Sequence, residues 1–590
     1  MRRITLLYAL LFFCTGFASV AAPLSTTDSS RISFSGAPEN YNFSLLNANP
    51  FQYERVLSPF QFDSIFVPVA GVFRFSHTAF DGHLSRPFYV PDRDTNFAAS
   101  DLRILLGSTR EQILFLDHAQ RITRNLSATL HYHSIVSPGF LLNCLSVEKD
   151  FSAGLLFKPE WITSAIDFRY GKVDADENGG IPDSISVNGL SRADFERVKT
   201  LASDEKRIVR SYQLSWRNFI PLSHADSSRS KWGILANVDW HRWGTSYSGV
   251  AEKNLYNQFY IDSAATKDTC GVEEWRYGTG LKYESSFKGV HWHAVAGYNL
   301  HNDVNWRVLD SVAAMNFNDG FIALNLTSAD IKMNVTATQV QSSGSNDNDF
   351  SLQGAAAWNT GGRILSAVSF QFKMSAVAPY LTDMYYRSNH FRWNNDFDKE
   401  NYLYYSASAS LLKNRFSFSV NSLTASDLVY FNAAAVPVQD GRTVHVQQAE
   451  LKGDVSLKRW RLFVLGRSNT TDAQFLKIPD WSGLLRLSYT ARYFKKALLA
   501  EFGASVYGTS AYKGYAYMPA TSAFYVQNEW NCGGMPIMDL FVNAGIGKAT
   551  LSLSWQRFSA GFISGEYYLA AGYPGAPPTI KFSVNWPLVN

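Results

Sequence analysis

The sequence predicts an all-β fold: a transmembrane antiparallel β-barrel of about 14–18 strands with long extracellular loops. Aromatic residues make up 15% of the chain and charged residues only 18%, whereas a soluble globular chain carries about 25% charged residues. Beyond the N-terminus, no apolar run approaches the roughly 18 residues of a spanning helix. Because only helices and closed barrels satisfy their backbone polar groups in lipid, a barrel is the spanning structure that remains.

Segments with alternating apolar and polar residues recur from residue 100 to the end of the chain. In the segment 231–240, the even-numbered residues from Trp232 to Trp240 form one apolar face. The other clear segments are 125–132, 275–284, 415–421, 485–493, 538–546, 549–555 and 580–588. Aromatic residues at segment ends, such as Trp232 and Trp240, are typical of the girdles at membrane interfaces. A secreted β-sandwich shares the alternation but does not need these terminal aromatic residues, and it is the alternative fold.

The chain divides into three predicted parts. Residues 1–22 read as a signal peptide, because two arginines precede an apolar stretch and small residues end at Ala22. A retained anchor helix over residues 4–22 is the alternative. Residues 23–100 mix Pro, Asn, Ser and Phe without sustained alternation, and they are expected to form an N-terminal extension or a plug. Residues 101–590 are expected to form the barrel.

Longer polar stretches separate several of the alternating segments. We expect extracellular loops at residues 177–205, 260–273, 341–349 and 385–400, since barrels of this class place their long connections outside.

Two sequence patterns resemble metal sites without completing one. The run from Asp174 to Gly179 has the D-x-D-x-N-G spacing of a calcium loop, but Ile185 stands where the bidentate Glu belongs. A plain solvated turn is therefore favoured over a calcium site. The pairs at residues 131 and 133 and at residues 291 and 293 place two imidazoles on one strand face, without a further ligand nearby in sequence. We expect no metal and no cofactor.

The chain carries no signature of an enzyme. It has no G-x-S-x-G elbow, no P-loop and no H-E-x-x-H motif. A hydrolase with Ser and His on neighbouring strands remains an alternative, because such residues need not be adjacent in sequence. The expectation is that the protein is not an enzyme and has no catalytic residues.

Several short motifs between residues 86 and 181 match a known family in order and spacing. They are Arg86-Pro87-Phe88-Tyr89, the run from Leu105 to Gln112, His118-Ala119-Gln120, the run from His131 to Gly139, and the run from Glu177 to Ile181. In these motifs the chain resembles the putative outer-membrane porins of Bacteroidota. The resemblance implies location in the cell outer membrane, a barrel and a pore function, and it carries over no catalytic residue.

These features predict a porin-like channel for the diffusion of small polar solutes. The alternative is a plugged barrel that acts as a surface adhesion, structural or scaffold protein. An energised transporter fits less well, because such transporters have about 22 strands and a plug, and the chain is short for both.

The polar faces of the alternating segments predict the charges along the lumen. The candidate pore-lining residues are Arg276, Lys282, Arg415, Arg486 and Arg492. The full basic set is Arg169, Arg217, Lys231, Arg276, Lys282, Lys332, Arg415, Arg461, Arg467, Arg486, Arg492 and Lys581, and the acidic set is Asp167, Asp239, Glu284, Glu501 and Asp539. Since basic residues predominate, weak anion selectivity is predicted.

The expected partners follow from this location and function. They are outer-membrane lipid and lipopolysaccharide, the barrel assembly machinery and small polar solutes. Nucleic acid is excluded as a partner, because the net charge is only +4 and no Lys/Arg run exists. The oligomeric state stays open.

Overall fold

The structure is a computed structural model that describes residues 60–61, 64–65, 67–76, 78–80, 98–107, 110–187, 190, 192–222, 230–252, 254–561 and 567–589. The predicted signal peptide, residues 1–22, lies outside the described residues, as does much of the segment 23–100. No helix in the described part of the chain is both long enough and apolar enough to cross a bilayer.

Twenty-two antiparallel strands form one closed barrel, which confirms the predicted fold class. The strands are β1 (Ala99–Gly107), β2 (Gln112–Thr123), β3 (Leu126–Ser137), β4 (Ser146–Phe157), β5 (Thr163–Asp176), β6 (Glu205–Pro221), β7 (Ser230–Val250), β8 (Ala265–Phe287), β9 (Val290–Val308), β10 (Ser311–Thr327), β11 (Ile331–Ser342), β12 (Phe350–Asn359), β13 (Leu365–Val377), β14 (Glu400–Leu411), β15 (Phe416–Phe431), β16 (Pro437–Leu457), β17 (Trp460–Thr471), β18 (Trp481–Tyr493), β19 (Leu498–Thr509), β20 (Ile537–Ile546), β21 (Ala549–Gln556) and β22 (Thr579–Val589). Pairing of β22 with β1, from Ala99 opposite Val589 to Gly107 opposite Lys581, closes the barrel.

The predicted count of about 14–18 strands was too low, and the expectation that the chain is too short for about 22 strands was wrong. Two-residue turns, such as Lys288-Gly289 and Leu309-Asp310, join long strands without a polar stretch to mark the boundary. Strand β8 is 23 residues long and already begins at Ala265, inside the predicted loop 260–273. Long strands that extend beyond the apolar band therefore resemble loops at their polar ends.

Two rows of aromatic side chains mark the interfaces on the outward face. Ring centroids in one row are 5.1 Å apart for Tyr170 and Tyr212, 6.4 Å for Tyr212 and Trp240, and 6.2 Å for Trp240 and Trp275. In the other row, Trp232 contacts Tyr283 at 4.5 Å. Trp232 and Trp240 are about 26 Å apart along the strand at about 3.3 Å per residue, which is close to the apolar band of about 25 Å.

The two ends of the barrel differ in the length of their connections. One end carries short turns together with the start of β1 and the end of β22. The other end carries the long connections 138–145, 177–204, 251–264, 378–399, 510–536 and 557–578. Because outer-membrane barrels have short periplasmic turns and long extracellular loops, the long connections belong to the outer end.

Short elements occur outside the barrel strands, both before the barrel and between its strands. The strand pairs are Phe60–Gln61 with Ser64–Ile65, Tyr385–Arg387 with Arg392–Asn394, Tyr512–Met518 with Ala523–Cys532, and Tyr568–Ala570 with Tyr573–Pro574. Single-turn helices lie at Arg192–Phe195, Leu381–Met384, Phe494–Lys496 and Phe558–Gly561.

An apolar core fills the outer half of the lumen. It joins inward-facing residues of the wall, such as Val272, Val304 and Phe317, to Phe75 of the N-terminal part of the chain. Leu476 of the connection 472–480 is buried in the same cluster. The outer end of the barrel is therefore filled by protein.

Candidate functional site at the outer mouth of the lumen

The chain before the barrel enters the lumen. We call residues 67–76 and 78–80 the inner segment. The ring of Phe75 packs edge-on against Trp243 of β7, with centroids 5.8 Å apart, and Phe73 lies 6.3 Å from Phe317 of β10. Both partners are on the inward face of the wall, so the inner segment lies inside the barrel.

An ion pair joins the inner segment to the first residue of β14, and one side-chain and two backbone hydrogen bonds join it to the connection 378–399. Arg74 donates to Glu400 Oε2 over 2.8 Å and to the carbonyl of Ala378 over 2.6 Å. The side chains of Arg74 and Glu400 are only 11% and 6% exposed. The carbonyls of Arg74 and Phe75 accept backbone bonds from Leu381 and Thr382, both at 2.9 Å. The connection is thereby held over the inner segment.

Three further connections, 177–204, 510–536 and 557–578, complete the closure. The backbone N–H of Ala79 donates to Ser522 in the connection 510–536 over 3.1 Å, and that of Ile181 donates to Gly572 over 2.8 Å. We call the inner segment together with the described residues of the connections 177–204, 378–399, 510–536 and 557–578 the cap. A cavity of about 20 Å³ among Arg207, Asp383, Tyr386 and Thr521 has room for on the order of one water. Little empty space is left at this point of the cap.

One cluster of side chains fixes the cap to the barrel wall, and we call Arg207, Glu177 and Tyr517 the latch. Arg207 of β6 lies 3.2 Å from Glu177 Oε1 and donates to the carbonyl of Ala520 over 3.2 Å and to that of Pro519. The Tyr517 hydroxyl donates to Glu177 over 2.8 Å. The side chains of Arg207 and Glu177 are 3% and 2% exposed.

Burial has a strong effect on Glu177. It raises the pKa of this carboxyl to about 7, and the opposing effects of Arg207 and Tyr517 only partly offset it. Burial also raises the pKa of Asp383, in the connection 378–399, well above its usual value. Because charged carboxylates are costly to bury, these two carboxyl groups take up a proton more readily than exposed carboxyl groups do.

Asn389 holds the connection 378–399 against two neighbouring elements. Its Oδ1 accepts from the backbone N–H groups of Ile261 and Asp262, both at 3.0 Å. Its Nδ2 donates to the Asp262 carbonyl over 2.8 Å, and its backbone N–H donates to Asp268 over 2.9 Å. His390 lies 2.7 Å from the Thr266 hydroxyl. A buried amide with this many partners fixes one position of the connection.

The five candidate pore-lining residues lie in different settings. Arg276 pairs with Asp239 at 2.8 Å, and Lys282 pairs with Glu284 at 2.6 Å. Arg486 is buried with its guanidinium 4.2 Å from the centre of the Phe541 ring. Arg492 is exposed on β18, close to the short-turn end.

Arg415 does not belong to a strand. It lies exposed in the turn at residues 412–415, between β14 and β15, at the short-turn end. Arg415 comes directly before Phe416, the first residue of β15, so the alternation of polar and apolar residues in the sequence starts one residue before the strand does. The sequence prediction that Arg415 stands on a strand wall is wrong for this reason.

Within the described part of the chain, at least seven of the twelve basic residues in the predicted lumen set form ion pairs. Three pair with acidic residues already counted, Arg217 with Asp167, Arg276 with Asp239 and Lys282 with Glu284. Four pair with acidic residues that sequence reasoning missed: Arg169 with Asp150, Arg461 with Asp454, Arg467 with Glu450 and Lys581 with Glu111. The wall is therefore closer to charge balance than the sequence count indicated.

Neither candidate metal pattern gathers its side chains. Asp174 lies 2.9 Å from both Lys172 and Lys206, whereas Asn178 donates to the Leu142 carbonyl. His131 contacts Asp117, and His133 stacks on Phe115 at 4.1 Å. Across the described ranges, no group of three or more His, Cys, Asp or Glu side chains is arranged to hold a metal ion.

Sequence reasoning missed the latch and Arg74. Glu177 was assigned to a loop. Arg207 is the last residue of an unbroken charged run, Asp204-Glu205-Lys206-Arg207, and this run hides the alternation of apolar and polar residues. Arg74 lies in the segment without periodicity. Its buried partner, Glu400, is 326 positions away in the chain, so no pattern in the sequence around Arg74 indicates the pair.

The fold resembles solved outer-membrane receptors. The ferric preacinetobactin receptor of Acinetobacter baumannii is 10% identical, with 84% of this chain and 80% of that chain covered and a TM-score of 0.56. A variant of the ferric enterobactin receptor of Pseudomonas aeruginosa is 10% identical, with 84% and 81% covered and a TM-score of 0.57. The ferric-catecholate import receptor of E. coli is 12% identical, with 84% and 82% covered and a TM-score of 0.54. These identities show a shared fold alone.

A protein-family model described as "Putative porin" matches residues 75–590. No curated protein matches the chain. The match covers the inner segment from Phe75 and the whole barrel, and the closed barrel resembles outer-membrane receptors. The chain is therefore an outer-membrane β-barrel protein that belongs to the family described as "Putative porin".

Proposed function

We propose that the chain is a gated outer-membrane channel for the diffusion of small polar solutes, and that the structure corresponds to its closed state. The observation that carries this proposal is the latch. Arg207 on the wall holds Glu177 by an ion pair with hydrogen bonding, and it holds the carbonyls of Pro519 and Ala520 by hydrogen bonds, all without a covalent bond. Contacts of this kind can be released without unfolding the barrel.

The wall and the family support a channel. Below the cap, inward-facing ion pairs such as Arg276–Asp239 and Arg467–Glu450 give the lumen a polar lining. Porins of about 16–18 strands keep an open channel, whereas a lumen of about 22 strands is wider and is plugged in transporters. The cap reduces the larger lumen, so opening it partly would admit small solutes and still exclude large ones.

Weak anion selectivity is part of the proposal. At least seven of the twelve basic residues are paired, so the preference rests on residues such as the exposed Arg492. Fixed positive charge in a narrow polar lumen favours anions, most strongly at low salt.

Conductance tests the channel and the latch together. The mature chain and an Arg207→Ala variant are inserted into planar bilayers, with Lys206→Ala as the control, since Lys206 pairs with Asp174 at the outer end and is 47% exposed. We expect rare steps from the unsubstituted protein and from Lys206→Ala, and frequent or larger steps from Arg207→Ala.

The second candidate function is a permanently plugged barrel that serves as a surface adhesion, structural or scaffold protein. The filling of the outer end of the barrel by protein favours it. If heat-modifiable, correctly inserted protein gives no steps with or without Arg207, the channel proposal fails and the plugged barrel stands.

A further inference from the structure

A groove lies on the membrane-facing side of the barrel, across β6 to β9. Its volume is about 580 Å³, and its lining includes Arg210, Arg242, Gly244, Gly271 and Arg307. Gly244 and Gly271 lie directly opposite each other on β7 and β8. Because neither glycine has a side chain, the surface is recessed here, and backbone forms the floor.

Arginines border this floor on both sides. Arg210 of β6 stands opposite Gly244, and Arg307 of β9 stands opposite Gly271. Arg242 lies two residues before Gly244 on β7, closer to the middle of the membrane, and it stands opposite Tyr212 of β6 and Glu273 of β8. All three arginines are exposed, so their guanidinium groups are available to a ligand in the groove.

The arginines are only weakly neutralised within the described part of the chain. Arg242, with its side chain 63% exposed, is 3.9 Å from Glu273, at the limit of an ion pair. Glu273 also accepts a hydrogen bond from Trp240 Nε1 over 2.9 Å. Arg307 donates to the carbonyl of Leu309 over 2.8 Å. Three cations therefore face one carboxylate in the groove.

The position of the groove identifies the layer that it faces. The aromatic row of Tyr212, Trp240 and Trp275 lies directly on its membrane side. Aromatic girdles mark the boundary between the hydrocarbon and the headgroups. The groove therefore lies at the level of the outer-leaflet headgroups, where lipid phosphate is the available anion.

We propose that this groove binds a phosphate group of outer-leaflet lipopolysaccharide. Arginine binds phosphate through two parallel hydrogen bonds, and the partly desolvated interface strengthens them. Arg210 and Arg242 hold the phosphate from one side and Arg307 from the other, while Tyr212 and Trp240 contact the lipid below. This inference does not depend on whether the lumen conducts.

Binding to the purified full chain in mild detergent tests this site. The probes are phosphorylated lipopolysaccharide and the same lipid after enzymatic dephosphorylation, with inorganic phosphate as a competitor. The variants are Arg210→Gln with Arg242→Gln, and separately Gly244→Leu, which fills the groove and keeps every charge. A Cβ at residue 244 meets its nearest atom, the Cys270 carbonyl oxygen, at an ordinary 3.5 Å.

We expect both variants to bind phosphorylated lipopolysaccharide about tenfold more weakly or worse, because charge-assisted hydrogen bonds are lost or blocked. The control Arg442→Gln, which changes an exposed arginine on β16 beside Asp440, should bind as the unsubstituted protein does. Heat-modifiable migration of each variant verifies folding. Equal binding by the groove variants, equal binding of the dephosphorylated lipid, or full displacement by millimolar inorganic phosphate would each overturn the proposal.

Discussion

Arg207 of the barrel wall and Glu177 of an outer connection lie 3.2 Å apart, and both side chains are almost fully buried. This pair joins the wall to the cap at one point, and Tyr517 of a second connection donates to the same carboxylate. The cap is sensitive to the protonation of Glu177, because burying its charged form costs more than the interactions with Arg207 and Tyr517 recover.

The pH dependence of conductance follows from Glu177. Burial raises its pKa from 4.5 to about 7 in the closed cap, with Asp176 adding to the rise and Arg207 and Tyr517 opposing it. Between these values the closed cap binds a proton that a solvated carboxyl releases, so closure is favoured at low pH and weakens as the pH rises to 7. Conductance should therefore increase from pH 5 to pH 8.

Glu177→Gln should flatten this pH profile, since the amide does not titrate. The measurement is single-channel open probability in planar bilayers at constant salt. Higher open probability at pH 5 than at pH 8 would contradict the prediction, and an unchanged profile in Glu177→Gln would show that another group is responsible.

The ion pair between Arg74 and Glu400 should stabilise the whole closed assembly. Replacing Arg74 by Ala leaves a buried carboxylate without its cation, which costs about 3–5 kcal/mol. We expect a lower temperature for the heat-modifiable shift in gel migration. Arg442→Ala is the matched control, because Arg442 also pairs with a carboxylate, that of Asp440, but its own side chain is exposed. Surface ion pairs contribute only about 0–1 kcal/mol to stability. Equal shifts for the two variants would contradict a special role for Arg74.

The fold class could be predicted because alternation is a local property. The apolar face from Trp232 to Trp240 requires no knowledge of neighbouring strands. The strand number could not be predicted as well, since the two-residue turn Leu309-Asp310 has no composition that separates it from a strand. The net charge of the lumen could not be predicted, because it depends on which residues pair across strands. Arg169 pairs with Asp150 only because of the register between β4 and β5.

The cap was beyond sequence reasoning for a different physical reason. Its contacts, such as Arg74 with Glu400 and Ala79 with Ser522, join residues that are hundreds of positions apart. Polar residues such as Arg74 and Glu400 are typical of loops in the sequence, and only closure of the barrel brings them together. The predicted loops at 177–205 and 385–400 were thus placed correctly along the chain while their inward course went unnoticed.

Asn389 should control the exposure of the connection 378–399. Asn389→Leu has a similar volume but loses the bonds to Ile261 and Asp262, each contributing about 1 kcal/mol. We expect limited proteolysis within this connection to become at least about tenfold faster in intact outer membranes. Asn401→Leu, on an exposed side chain at the start of β14, is the control. Equal cleavage rates for both variants would show that Asn389 does not hold the connection.

Export can be tested by direct sequencing of the mature chain. Protein extracted from outer-membrane fractions should begin near Pro23, since small residues ending at Ala22 form the predicted cleavage site. Recovery of intact Met1 would contradict the signal peptide and favour a retained anchor.

Charge in the lumen gives the last prediction. Arg486 is buried over Phe541, and Arg492 is exposed six residues further along β18, so both belong to the inward face towards the short-turn end. Each of the two guanidinium groups adds one fixed positive charge to the lumen wall, so both should contribute to its positive potential. Reversal potentials across a salt gradient should indicate weak anion preference, strongest near 0.01 M salt, where the Debye length is about 30 Å.

Changing both residues to Gln should move the reversal potential towards zero, because the fixed charge of the wall falls by two. Arg442→Gln is the control, since that side chain is 76% exposed and paired with Asp440. Arg207→Ala in the background of each protein supplies enough open channels to measure. Cation preference in the unsubstituted lumen, or no shift of the reversal potential in the double variant, would contradict anion selectivity. Either result would mean that acidic residues of the wall screen the charges of Arg486 and Arg492.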